Sequence, residues 1–190
     1  MSIGLTLSPP PHYDGLYSSS NEPAVGEFIQ TQYHRGINTV AYALGELRVS
    51  KIEVRKPVYI NQAQVEVSTG AAGTVAIMVY KDNGASYPGK LFLDTGNQSA
   101  AVAAWKTFNF TRIFMPAGVY WAGAVNQGGA AATLRGVDGP IPGVSSNALP
   151  PAANANAGYL MTGVTGAAPG TWTSSRAAVS QVARVLLTRN

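Results

Sequence analysis

The chain has 190 residues, a net charge of +4 and no cysteine, so it can form neither disulfides nor thiolate metal sites. Only 12% of its residues are charged, against about a quarter in an average soluble domain. This composition predicts one domain with an appendage and a neutral surface that other subunits cover easily. We expect no membrane span and no secretory signal, because no apolar run approaches ~18 residues and no basic start precedes an apolar core.

Residues 1–36 are predicted to form an extended N-terminal arm used for assembly. Prolines occupy positions 9–11 and favour extended backbone. The first 34 residues contain acidic side chains and neither lysine nor arginine. The arm also keeps apolar and aromatic residues that a solvated tail seldom carries: Ile3, Leu5, Leu7, Tyr13, Leu16 and Tyr17. We therefore expect it to order against a partner subunit, the alternative being that it packs on its own domain.

Residues 37–190 are predicted to form an all-β domain, beginning with strands at 38–44 and 58–67. The second half of the latter alternates apolar and polar residues, as a half-buried strand does. Between these strands, Leu47 and Val49 follow one phase of alternation, whereas Ile52 and Val54 follow the other. This phase change predicts a bulge or short turn near Ser50.

Basic residues are concentrated between positions 35 and 56, which raises the possibility of nucleic-acid binding. They are separated by Val, Ile and Glu in the manner of the solvent-facing side of a strand, and no nucleic-acid-binding motif accompanies them. We therefore expect no nucleic-acid partner and interpret these residues as a solvated strand face: Arg48, Lys51, Arg55 and Lys56.

The domain is organised around residues 74–126. The run 74–80 is apolar and β-branched, which predicts a strand buried on both faces. Asn83-Gly84 supplies the backbone conformations of a tight reversal. Further strands are predicted at 90–94, 105–110 and 119–125, with turns at 86–89 and 115–118. Trp105 and Trp121 lie on these strands and are expected in the core.

Residues 139–175 contain no charged side chain but several prolines, which predicts loops and not a helix. Loops of this length are usually functional or covered, so we expect them to be ordered and packed, with disorder as the alternative. The composition of the C-terminal end is compatible with helix or strand. We predict a strand over 182–188, because it could pair back into the sheet.

Strands separated by Gly and Pro turns predict an antiparallel jelly-roll-like β-sandwich with an extended N-terminal arm. Several segments between about 38 and 188 resemble structural proteins of tailed bacteriophages of the tail-fibre, head-fibre or minor virion type. They include Ile77-Met-Val-Tyr80, Pro88-Gly-Lys-Leu91, Met115-Pro-Ala-Gly-Val-Tyr-Trp121, Tyr159-Leu-Met-Thr-Gly-Val-Thr-Gly166 and Ala183-Arg-Val-Leu-Leu187. The arm is not part of this resemblance.

The resemblance implies a virion protein made to assemble, with a homotrimer as the common form. We expect residues 1–36 to dock on capsid, neck or tail proteins. Outward-facing loops at 139–175 would allow the alternative function, recognition of host cell-surface polysaccharide during attachment. The aromatic residues with loop-like positions are the glycan-binding candidates, with two asparagines as polar partners: Trp172, Tyr159, Tyr87, Asn154 and Asn156. The alternative for each aromatic residue is that it anchors its own loop.

We expect neither enzymatic activity, nor a cofactor, nor a metal site. Asp82-Asn83-Gly84 is better explained by a hairpin turn than by a calcium loop, and His12 and His34 are too far apart in sequence to suggest a shared zinc site. A glycosidase needs two carboxylates at a defined separation. The acidic residues of the domain lie in strand or turn patterns without a catalytic motif: Glu46, Glu53, Glu66, Asp82, Asp94 and Asp138.

Overall fold

The structure is a computed structural model that describes residues 28–31, 36–138, 157–174 and 177–189. Within these ranges the chain forms strands and turns, and no helix there could span a membrane. The strands are β1 (Phe28–Gln30), β2 (Gly36–Ala41), β3 (Leu47–Val54), β4 (Val58–Thr69), β5 (Gly73–Asp82), β6 (Pro88–Ser99), β7 (Ala104–Met115), β8 (Gly118–Gly129), β9 (Thr133–Asp138), β10 (Gly158–Met161), β11 (Ala178–Val179), β12 (Gln181–Ala183) and β13 (Val185–Arg189).

Two sheets form a sandwich in which all these strands pair antiparallel. In the seven-stranded sheet β2 pairs with β9, β9 with β4, and β4 with β7. In the six-stranded sheet the order is β11-β10-β3-β8-β5-β6. The central orders β2-β9-β4-β7 and β3-β8-β5-β6 are those of a double-sheet jelly roll, so the predicted antiparallel jelly-roll-like β-sandwich is confirmed.

The C-terminal strands occupy a gap between β4 and β9. Those two strands pair directly only where Val67 and Thr69 meet Leu134 and Thr133. Beyond that point β13 pairs with β4 and β12 pairs with β9. The strand predicted over 182–188 is therefore confirmed, with a break at Arg184, and the helical alternative is wrong. The segment forms a strand because alternate residues of β13, Val185 and Leu187, are buried in the core between the sheets.

The main core lies between the sheets. Alternate residues of β4, namely Ala63, Val65 and Val67, point inward and are buried, as predicted. Strand β5 is buried on both faces over residues 75–80, again as predicted. One set of its side chains enters the main core, while Ala76, Met78 and Tyr80 join a second cluster on the opposite face of the six-stranded sheet.

The predicted bulge near Ser50 is wrong. Strand β3 pairs with β8 in unbroken register from Arg48 to Val54. The phase change arises because both faces of β3 are buried at different points: Leu47 and Val49 join the second cluster, whereas Ile52 and Val54 join the main core. A strand covered on both sides produces this pattern without an extra residue.

The interpretation of the basic residues as one solvated strand face is also wrong. Arg48 and Lys51 are three residues apart in a regular strand, so they lie on opposite faces. Arg48 is held at 3.0 Å by Glu46 and lies over the ring of Tyr42. Arg55 and Lys56 follow the end of β3. The structure therefore distributes these charges and forms no basic stripe.

Much of the predicted arm and the first half of the 139–175 loops lie outside the described residues. Within the arm range, β1 pairs with β13 and buries Ile29 against the core. Residues 157–174 contribute β10 and then follow an irregular path that packs against the second cluster. His12 and His34 lie outside the described ranges.

Candidate functional site

Three of the predicted glycan-binding residues come together on one side of the six-stranded sheet. The rings of Tyr87 and Tyr159 are 4.7 Å apart and meet edge to face. The ring of Trp172 lies 6.4 Å from that of Tyr87 and 5.4 Å from that of Tyr80. Trp121 completes the group at 5.2 Å from Tyr159. We call these five residues the aromatic cluster.

Hydrogen bonds fix the aromatic cluster to the 157–174 segment. The indole N–H of Trp172 donates to the Tyr87 hydroxyl at 2.9 Å, and that hydroxyl donates to the carbonyl of Ser174. The Tyr80 hydroxyl donates to the carbonyl of Pro169 at 3.1 Å. Burial raises the pKa of Tyr80 above its ordinary value, because ionisation would leave a charge in apolar surroundings.

Polar groups of the six-stranded sheet also hold this segment. The Asp94 carboxylate accepts the Ala168 N–H at 2.8 Å and the Gly96 N–H at 2.9 Å. The Gln127 side chain donates to the carbonyls of Val164 and Gly166. Since Gln127 is buried and its bonds reach two residues of the segment, it couples β8 to residues 157–174, which we call the covering segment.

The aromatic cluster is packed and does not present a flat exposed face. Tyr159 is fully buried, Trp172 is nearly so, and Tyr87 is half-buried. These contacts agree with the alternative in which each aromatic residue anchors its own loop. The two polar partners, Asn154 and Asn156, lie outside the described residues. Glycan binding by Tyr87, Tyr159 and Trp172 with the two asparagines therefore stays a prediction. None of the three rings is exposed enough to support it.

A different surface carries the exposed aromatic residues. We call it the outer face: the side of the seven-stranded sheet that points away from the six-stranded sheet. Directly paired residues share a face of a sheet, so Tyr59 lies beside Phe114, and Trp105 lies beside Glu66. Phe28 pairs with Thr188, which pairs with Gln62 on the same face. All four aromatic side chains are between 42% and 50% exposed.

The prediction that Trp105 lies in the core is wrong, whereas Trp121 is fully buried as predicted. Trp105 and the buried Phe108 are three residues apart on β7, so a regular strand places them on opposite faces. The sequence therefore contained a signal for the outer face. It was missed because an aromatic residue on a strand is more often core than surface.

Amide and hydroxyl groups form a connected ladder across the middle of the outer face. Gln62 donates to Asn109 at 2.8 Å, and Gln64 donates to Gln62 and to Thr107. The Thr188 hydroxyl donates to Gln62 at 3.1 Å. These neutral side chains are held in fixed positions by one another, so the surface between the aromatic residues is ordered and polar without being charged.

Two arginines stack on the aromatic rings at opposite ends of the outer face. The guanidinium of Arg112 lies 4.0 Å from the centre of the Tyr59 ring, and that of Arg184 lies 5.7 Å from the Trp105 ring. Within the described part of the chain, neither guanidinium forms an ion pair. Arg135, by contrast, is paired with Glu66 at 3.4 Å. The outer face therefore carries uncompensated positive charge.

The carboxylates of the domain have structural partners. Asp82 caps the hairpin at Gly84, where φ is +89°, and accepts the Trp121 indole N–H at 2.8 Å. Asp138 accepts the Asn38 amide at 2.9 Å. Glu46 and Glu66 pair with arginines, as described above. No group of three or more His, Cys, Asp or Glu residues within the described ranges is arranged to hold a metal.

The sequence matches no protein-family model and none of the curated proteins with which it was compared. The function is therefore inferred from the fold, the outer face and the packing of the aromatic cluster.

Proposed function

We propose that the protein is a non-enzymatic structural component of a bacteriophage virion, as a fibre, spike or decoration protein. It assembles with copies of itself, as a homotrimer, and docks on capsid, neck or tail proteins through residues 1–36. The jelly-roll-like sandwich supports this proposal, together with the resemblance of residues 38–188 to structural proteins of tailed phages.

The observation that carries the proposal is the composition of the outer face. Tyr59, Trp105 and Phe114 are exposed there, and arginines lie over two of their rings. Protein interfaces are enriched in aromatic residues and arginine, and most of their binding energy comes from such residues. Clustered exposed aromatic residues on a soluble domain commonly mark an interaction site. This composition supports assembly as the role of the outer face.

The arrangement of the carboxylates supports a non-enzymatic role. Asp82 and Asp94 each accept hydrogen bonds that fix a turn or the covering segment. Glu46 and Glu66 are engaged by arginines. A glycosidase needs one carboxylic acid and one carboxylate facing a common substrate cleft, whereas these groups serve separate structural contacts.

The proposal is tested by locating the protein in phage particles. Particles purified on a density gradient would be digested for mass spectrometry and labelled with gold-conjugated antibody against the chain. We expect the protein to co-purify with intact particles and the label to occupy one defined position on head, neck or tail. Its presence only in the soluble fraction of the lysate would overturn the proposal.

Recognition of host polysaccharide is the second candidate function. The amide ladder of Gln62, Gln64 and Asn109 with exposed rings at its ends offers hydrogen-bonding groups and apolar surface of the kind that sugars require. Binding of purified host surface polysaccharide that is lost in Trp105→Ala would support this candidate. Unchanged binding in that variant would show that the outer face is not the site of polysaccharide recognition.

A further inference from the structure

We infer that residues 1–27 of one copy bind the outer face of the seven-stranded sheet of a second copy. This inference rests on the proposed function, because it identifies the surface through which self-assembly occurs. The charge and composition of residues 1–27, and their connection to the seven-stranded sheet, favour this segment as the occupant of the outer face.

Charge complementarity is the first argument. Arg112 and Arg184 stack on aromatic rings at the two ends of the outer face and form no ion pair within the described ranges. Residues 1–27 carry Asp14, Glu22 and Glu27 and neither lysine nor arginine. The segment therefore supplies the carboxylates that these guanidinium groups lack.

The same charges disfavour a face-to-face dimer. Stacking two outer faces would bring Arg112 and Arg184 of each copy towards the basic residues of the other. Like charges that meet in a desolvated interface repel each other and disfavour the complex. An acidic segment avoids this cost, so the outer face fits residues 1–27 better than it fits a second outer face.

The apolar composition of the segment is the second argument. Residues 1–27 contain leucine, isoleucine and tyrosine side chains that would gain from burial. The outer face offers exposed rings at Tyr59, Phe114 and Trp105. Tyr59 and Glu66 mark its two ends on β4, seven residues apart, which is about 23 Å along a strand. A segment of roughly seven extended residues would span this distance.

The starting point of the described chain is the third argument. Strand β1 begins at Phe28, whose side chain lies on the outer face because it pairs with Thr188. Residues 1–27 are therefore joined directly to a strand of the seven-stranded sheet whose outer face they are proposed to cover. Fully extended, they would reach about 90 Å, which is long enough to cross from one copy to its neighbour.

A charge exchange between two full-length variants tests the inference. The first variant, Arg112→Glu with Arg184→Glu, makes the outer face acidic. The second, Asp14→Arg with Glu22→Arg and Glu27→Arg, makes the segment basic. Each variant has like charges on segment and face, so each is expected to assemble at least tenfold more weakly than wild type. The readout is solution mass by light scattering over a series of concentrations.

Mixing the two variants is the decisive measurement. The basic segment of the second variant then meets the acidic face of the first, and we expect a mixed complex at concentrations where neither assembles alone. Formation of that complex shows that the sheet of the first variant is folded, and circular dichroism of each variant alone checks that both keep the β-sandwich. Lys51→Glu with Lys90→Glu is the matched control: it reverses two charges on the six-stranded sheet and should leave wild-type assembly unchanged.

Three outcomes would overturn the inference. They are a wild-type chain that stays monomeric at every concentration, variants that assemble like wild type, and variants that do not combine when mixed. The first outcome would indicate that the segment binds its own domain. Labelling of phage particles does not depend on these three outcomes, so the virion proposal stands if the inference fails. Conversely, mixed complexes would support the inference even if the protein were absent from particles.

Discussion

Trp172 donates its indole N–H to the hydroxyl of Tyr87 at 2.9 Å, across 85 positions of sequence. This bond joins the covering segment of residues 157–174 to the loop before β6. Both residues were predicted as glycan-binding candidates, with loop anchoring as the alternative. The hydrogen bond between them agrees with the alternative, because each side chain is engaged by the other.

We predict that Tyr87→Phe destabilises the protein by about 1–3 kcal/mol, because it leaves the nearly buried Trp172 N–H without its acceptor. The free energy of unfolding is measured by urea titration followed by tryptophan fluorescence. Tyr59→Phe is the control, since its ring is exposed, and we expect a change within about 0.5 kcal/mol. Equal effects in the two variants would contradict the anchor.

Asp94→Ala should loosen the covering segment without unfolding the sandwich. The carboxylate accepts the N–H groups of Ala168 and Gly96, and losing one such bond is worth roughly 1 kcal/mol, or about fivefold in local opening. Hydrogen exchange at Ala168 is the measurement, with Ile52 in the unbroken β3–β8 pairing as the internal reference. Glu53→Ala, at an exposed strand position, should leave Ala168 unchanged. Unaltered exchange at Ala168 in Asp94→Ala would contradict this role.

Gly123→Ala should destabilise the six-stranded sheet strongly. A Cβ at Gly123 would lie 1.9 Å from the carbonyl oxygen of Arg48 on β3, so the paired strands would have to separate. We expect a loss of about 1–3 kcal/mol or more, as for other overpacked sites. Gly166→Ala is the control, because a Cβ there meets nothing within 4 Å. Thermal unfolding followed by circular dichroism compares the two, and equal melting temperatures would refute the close approach.

Alkaline pH should destabilise the fold through three buried tyrosines. Burial raises the pKa of Tyr42, Tyr80 and Tyr120 above the ordinary value. Below about pH 10 both folded and unfolded chains keep these protons, so the contribution of the three tyrosines to the free energy of unfolding does not change with pH. Above it the unfolded chain releases protons that the folded chain retains, so stability falls by up to about 1.4 kcal/mol per pH unit for each tyrosine.

The measurement for this prediction is the urea midpoint from about pH 8 to about pH 11. We expect a plateau followed by a decline, and a shallower decline in Tyr80→Phe, which removes one of the three groups. A midpoint that stays flat to the upper end of the range would contradict the raised pKa values. A midpoint that rises there would contradict the predicted loss of stability on deprotonation of the tyrosines.

The strands could be predicted from sequence wherever one physical signal dominated. Residues 75–80 are apolar without interruption, and β5 is buried on both faces. Ala63, Val65 and Val67 alternate with polar residues, and β4 is half-buried. Turn residues such as Asn83-Gly84 marked the hairpin correctly, because their backbone preferences are local. These signals were sufficient to predict an antiparallel sandwich.

Features that depend on distant parts of the chain could not be predicted in this way. The phase change in β3 suggested a bulge, but it reflects burial of Val49 under the covering segment and of Ile52 in the main core. The position of β12 and β13 between β4 and β9 depends on how those two strands diverge. The composition of residues 139–175 predicted packed loops, but neither the strand that they cover nor the divergence of β4 and β9 has a local sequence signal.

The candidate site was predicted only in part. Tyr87, Tyr159 and Trp172 are brought together, but as packed residues. The exposed rings are instead on the outer face, where Trp105 was expected to be buried. Residue type alone favours the core for an aromatic residue on a strand, and only its register relative to Phe108 indicates the opposite face.

The most direct test of the account is oxidative footprinting of Trp105 in the isolated protein and in purified phage particles. Trp105 should be oxidised readily in protein diluted to the monomer, where its side chain is 42% exposed, and should be protected in the particle. Trp121, which is fully buried, is the internal control and should resist oxidation in both samples. Equal oxidation of Trp105 in monomer and particle would contradict assembly through the outer face.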